Sequence, residues 1–174
     1  MGVREEYRGG HLRLEFKVEY TDTDGPQQFH DAVDELTTLW GVRLNEILVE
    51  EAGKRPDGKG TAIDTGALTD SMVILEDAWD HVIVGTNIEY ASKLARGTPD
   101  PDTDFDDILA WTKRKRLPEN MKKGYRKKSK AQKQFARNVT KKLTTEGPIP
   151  NPFDVRTVRR FEDEWESFVP EVRL

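Results

Sequence analysis

The chain has no cysteine, which excludes a disulfide framework and a thiolate metal site. Its three histidines, His11, His30 and His81, stand without ligand spacing, so a zinc centre is not expected. No apolar run approaches the ~18 residues of a membrane span, and MGVREEYRGG carries no signal-type apolar stretch. A soluble protein without a membrane partner is therefore expected. Hydrophobic residues are scarce at 35%, nearly matched by charged ones at 34%, so the core must be modest and much of the chain surface or interface. At 174 residues the length suits one domain with appendages.

What is abundant is charge, and it is segregated. Residues 113–142 hold fourteen of the chain's 28 Lys and Arg but only one of its 32 acids, Glu119. That segment is +13 and the remainder −17, within a net charge of −4. Such polarity calls for a charged partner or a neighbouring copy of the same chain.

Periodicity supplies the elements. In LRLEFKVEY, residues 12–20, apolar and polar residues alternate as in a half-buried strand. Residues 27–52 place Phe29, Val33, Leu36, Leu39, Trp40, Leu44, Ile47 and Leu48 at helical spacing. MVIL and HVIVG, flanking EDAWD, predict an antiparallel hairpin over 72–85, for a sheet of at least three strands. Helices are expected over 88–96, 105–116, 129–145 and 154–168, and a short one over 66–71. The reading is an α+β domain: an antiparallel sheet packed on a long helix, with a basic helical insertion and a C-terminal helix. Residues 1–10 form a flexible N-terminus, 11–98 the core, 99–147 the insertion and 148–174 the last segment.

Three strings imitate known chemistry. Ala62-Ile63-Asp64-Thr65-Gly66-Ala67 has the pattern of a retroviral-type aspartic protease, which needs two carboxylates and a β-rich flap. Here Ile83-Val84-Gly85 follows too soon for a flap, and Asp64 or Thr65 reads better as the cap of the short helix. GKRPDGKG, residues 53–60, has Gly60 where a phosphate-binding loop needs Ser or Thr, and it follows a helix. PDPDTDFDD, residues 99–107, lacks the glycine and the glutamate of a calcium loop and reads as acid at a helix start. Neither a nucleophile–base pair nor a cofactor site is expected.

The basic segment admits three readings: phosphate contacts with nucleic acid, contact with an acidic protein surface, or a solvated face. Its candidate contact residues are Lys113, Arg114, Lys115, Arg116, Lys122, Lys123, Arg126, Lys127, Lys128 and Lys130.

The order of the remaining motifs resembles the tail-completion, or minor tail, proteins of long-tailed phages and related archaeal viruses. The residues that carry it are Asp64, Thr65, Gly66, Leu68 and Ser71, then Gly85-Thr86, Tyr90-Ala91, Gly97-Thr98, Trp111 and Pro152-Phe153. Ala95 stands where that family usually has Glu. The resemblance spans roughly residues 28–168. It implies a non-enzymatic virion protein of the neck, at the tail top, which assembles in the host cytoplasm and joins the tail to the capsid. Implied partners are its own copies in a ring, expected to be a hexamer, and the tail-tube or tail-terminator and head-connector proteins, with DNA in the channel as a further candidate. The alternative is a small nucleic-acid-binding protein using 113–142. Glycines 66, 85 and 97 are expected at left-handed reversals. Tyr90 is expected to bury its ring, and Phe153 to anchor the last helix.

Overall fold

The computed structural model describes residues 2–8, 11–17, 27–55, 66–114 and 128–165. Alternation builds the centre of the sheet. In β2 (His11–Lys17), Leu12 and Leu14 are fully buried while Arg13 and Glu15 stay half-exposed, as a period of two requires. β2 lies between β1 (Gly2–Arg8) and β4 (His81–Thr86), and β3 (Val73–Ala78) closes the far side. All pairings are antiparallel, in the order β1-β2-β4-β3.

β1 corrects the expectation of a flexible N-terminus over 1–10. It pairs with β2 from Gly2↔Lys17 to Arg8↔His11, leaving only Gly9 and Gly10 between partners. A Gly-Gly pair between two runs suits a two-residue hairpin link. GVREEYR itself alternates poorly, so periodicity missed it. The β3–β4 hairpin is also tighter than expected, with β3 continuing through Glu76 and Asp77 to a turn at Trp79-Asp80. Its register slips between Ile74 and Glu76, a bulge that breaks the apolar alternation.

α1 (Gln27–Ala52) covers the sheet, as expected. Val33, Trp40, Leu44, Ile47 and Leu48 join Leu12, Leu14, Val82 and Val84 in one core cluster. Gly41 sits against β4, where a Cβ would come 2.5 Å from Val82 Cγ2, so the helix approaches closely because this residue has no side chain. The single Thr37 hydroxyl proton is shared between the Val33 carbonyl (2.8 Å) and that of Trp79 (3.3 Å), which links α1 to the hairpin tip. Leu39 departs from the expected apolar face and is 42% exposed.

α2 (Ala67–Asp70) and α3 (Tyr90–Arg96) flank the hairpin in sequence, and α6 (Phe153–Trp165) packs on α1. Phe153 and Phe161 of α6 are buried in the same core, and Val158 packs against it. Burial of such a side chain contributes about 1.5–3 kcal/mol.

Packing divides the chain into two compact units, residues 1–96 with 150–174, and residues 97–149. The second unit contains α4 (Phe105–Arg114) and α5 (Lys128–Thr145), which pack together. The α4 start explains the acidic run: Asp104 Oδ1 accepts the Asp106 N–H at 2.7 Å, and Asp106 and Asp107 occupy the first turn near the positive end of the helix dipole. Thr112, Ala131 and Ala136 are buried between larger neighbours, while Trp111 and Phe135 stack at 6.2 Å. Gly147, at φ 82°, ends α5 with its N–H on the Lys142 carbonyl (3.1 Å).

Candidate interaction surface

The motif residues of the first unit prove to be braces of the fold. Gly66, at φ 81°, is the N-cap of α2 and its carbonyl accepts the Asp70 N–H at 2.8 Å. Gly66 itself has no side chain to cap the helix, and Asp64 and Thr65, the expected cap residues, lie outside the described residues. Leu68 packs on the core.

Ser71 and Thr86 meet across 15 positions of sequence, Oγ to Oγ1, at 2.6 Å. Ser71 Oγ donates to the Leu68 carbonyl (2.7 Å), so its proton is taken. Thr86 must then be the donor of the shared bond, and its oxygen accepts the Ile88 N–H at 3.1 Å. The chain Ile88 to Thr86 to Ser71 to Leu68 is closed, with both hydroxyl protons committed.

Gly85 differs from expectation: its φ is not positive, and the need for glycine is steric. A Cβ there would lie 2.1 Å from the Leu12 carbonyl oxygen across the β2–β4 ladder. Tyr90 is corrected as well. Its ring is 45% exposed at the start of α3, although partial burial still raises its phenol above the ordinary value. The neighbouring Ala91 supplies the buried contact. Phe153 is wholly buried as expected, and the residues before it are held by the Asn151 N–H on the Leu94 carbonyl at 3.0 Å.

In the second unit Gly97 takes φ 70° as expected, with Thr98 exposed. Gly147, five residues before Pro152, crosses it so closely that a Cβ would be 2.1 Å from the Gly97 oxygen.

Sequence reasoning missed the charged seam between α1 and α6. Glu51 is 3% exposed, and its carboxylate accepts from Arg156 Nε (2.9 Å) and Lys54 Nζ. Arg156 also donates to the Glu51 carbonyl (2.8 Å) and to Asn151 Oδ1 (3.0 Å). Glu164 binds Arg160 Nε (2.7 Å) and Arg43 Nε (3.0 Å), and Arg160 reaches Glu50 (2.5 Å). Burial works to raise the Glu51 carboxyl, but hydrogen bonds from Lys54 and Arg156 outweigh it and hold it below the usual range. Hydrogen bonds from Arg160 and Arg43 lower Glu164. Burial raises Asp154, one of whose oxygens has no partner. The signal was the four-residue step of Arg156, Arg160 and Glu164 on α6, but nothing local names partners over a hundred residues away.

Of the candidate contact residues, Lys113, Arg114 and Lys130 are exposed and Lys128 begins α5. Lys115, Arg116, Lys122, Lys123, Arg126 and Lys127 lie outside the described residues. Among the described residues no helix is long and apolar enough to cross a membrane, and no group of three or more His, Asp or Glu is placed to hold a metal. What the arrangement offers is surface: an acidic first unit and a basic helix in the second. No family model, curated protein or solved structure matches the chain.

Proposed function

We propose that this protein is a structural, non-enzymatic component of a tailed virus, completing the tail and joining it to the capsid connector as a ring in the neck. Its neighbours would be the tail-tube or terminator ring on one side and the head connector on the other. The observation that carries this reading is the use to which the motif residues are put. Ser71 and Thr86 spend their protons on each other and on the backbone, Gly85 admits the Leu12 carbonyl, and Phe153 fills the core. Motifs that preserve the shape of a subunit suit a part whose task is to fit between neighbours, and a chain divided into −17 and +13 has the means to do so.

Imaging of the virion tests it. A closed ring of copies, six by resemblance, is expected at the head–tail junction. A single copy, or a position on the shell or fibres, overturns it.

The exposed Lys130, Lys133, Arg137 and Lys141 of α5 favour a second reading, a nucleic-acid-binding protein. In that case duplex binding should weaken steeply with salt, by a slope of about 0.9 per phosphate contacted. Absence of binding at low salt removes this alternative.

A further inference from the structure

Two helix faces on this chain match in length and are opposite in charge. On α1, Glu35, Leu39, Val42 and Glu46 follow one another at steps of four, three and four. At 3.6 residues per turn they form one stripe, acidic at both ends and apolar in the middle. Leu39 is 42% and Val42 45% exposed. On α5, Lys130, Lys133, Arg137 and Lys141 follow at steps of three, four and four, an unbroken basic stripe. Each stripe covers eleven residue steps, about 16 Å of helix. All eight side chains are exposed in the single chain.

We infer that the α1 stripe of one copy is the docking site for the α5 stripe of the next copy. This rests on the ring proposed above and names its contact. Glu35 and Glu46 would meet the cations at the two ends of the α5 stripe. Leu39 and Val42 would lie under the alkyl stems of Lys133 and Arg137, which bury carbon while keeping charge at the rim. An α1–α1 pairing would instead set acid against acid, as an α5–α5 pairing would set base against base. The contact is therefore heterologous, and repeating it forms a ring where the rotation per copy divides the circle. Two stripes of four residues fall short of the ~1,000 Å² of a stable interface, so free subunits separate and the contact strengthens only when neighbouring rings align them.

Because the chain lacks cysteine, engineered thiols are unique reporters. The experiment mixes full-length Val42→Cys with full-length Lys133→Cys at high concentration and low ionic strength, with a short bismaleimide to trap transient contacts. Cross-linked dimer should exceed that of either variant alone by roughly tenfold and fall away in 1 M salt, where screening shortens to about 3 Å. Adding Glu35→Lys and Glu46→Lys to the Val42→Cys chain should abolish the product. Adding Lys130→Glu and Lys141→Glu to the Lys133→Cys chain should restore it, with circular dichroism melts confirming that each variant folds.

Equal cross-linking by Val42→Cys alone, no product at low salt, or indifference to charge reversal overturns the inference. So does duplex DNA that displaces the cross-link, which would make DNA the occupant of the basic stripe. A virion ring without Val42 near Lys133 overturns this contact alone. A cross-link in a protein absent from the neck overturns the proposed function and leaves the contact standing.

Discussion

The two units solve the problem of holding helices together by different means. The first buries large apolar side chains, Trp40, Phe153 and a set of Leu, Ile and Val, between a four-stranded sheet and α1, and seals the α1–α6 seam with ion pairs around Glu51. The second buries Thr112, Ala131, Ala136 and Gly147, relies on one half-buried aromatic stack, and covers its outside with lysine and arginine. Among the described residues, the large buried side chains thus fall in the acidic unit. On the docking proposed above, the basic helix would gain from its partner what it lacks at home.

The largest expected effect breaks the first unit. Phe153→Ala removes a wholly buried ring from the core and should destabilise by about 3–5 kcal/mol. Denaturant unfolding followed by Trp fluorescence measures it, and a loss under ~1 kcal/mol would mean the ring is not part of the core. Next comes Glu51→Ala, which leaves Arg156 facing a buried seam without its carboxylate. Breaking a buried pair costs about 3–5 kcal/mol, but the Arg156 and Lys54 side chains remain 21% and 35% exposed, so a loss of about 2–3 kcal/mol is expected. Glu51→Gln, which keeps one acceptor, should recover part of it.

These two residues also mark what a sequence reader could and could not see. Phe153 was legible because Pro150 and Pro152 set off an aromatic at the start of a periodic helix. Likewise β2 and α1 announced themselves through periods of two and 3.6, and the β3–β4 hairpin through two apolar runs flanking EDAWD. Nothing in the sequence around Glu51 marks it as buried, since its carboxylate is paired with Arg156, 105 residues away. β1 was missed for a third reason: a two-residue Gly-Gly link was present, but the strand it serves lacks alternation. At the motif sites the sequence located the positions but misjudged the physics of several. Gly85 is glycine for want of space and not of torsional freedom, and Tyr90 is exposed.

A third substitution sharpens the contrast from the other side. Gly147→Ala would force a Cβ onto the Gly97 oxygen and demand φ 82° of a residue with a side chain. The left-handed conformation alone costs about 1–2 kcal/mol. Hydrogen exchange should show lost protection in α4 and α5 while β2, β4 and α1 keep theirs. Equal loss in both units would mean that they unfold as one cooperative block.

The smallest expected effect concerns protonation in the first unit. His81 Nδ1 lies 2.8 Å from Asp80 and Nε2 lies 3.2 Å from Glu76, and the hydrogen bond to Asp80, opposed by partial burial, leads in raising its pKa. A histidine whose folded pKa is raised binds its proton more tightly in the native state. Its contribution is fully present below the unfolded value of about 6.5 and is lost as pH rises through the folded one. Both pairs are partly exposed, so the loss between pH 6 and 8 should be about 0.5 kcal/mol. Glu51 acts in the opposite direction and in another range: its lowered carboxyl stabilises above about 4.3 and releases that stability as pH falls through the folded value. A His81→Gln variant separates the two, since it should flatten the stability profile above pH 6 and leave the acid limb unchanged. If the wild-type profile is already flat from pH 6 to 8, the imidazole is not held as a cation between Asp80 and Glu76, and the ties of Thr37 to the Trp79 carbonyl and of Thr38 to Asp77 hold the hairpin tip to α1 without it.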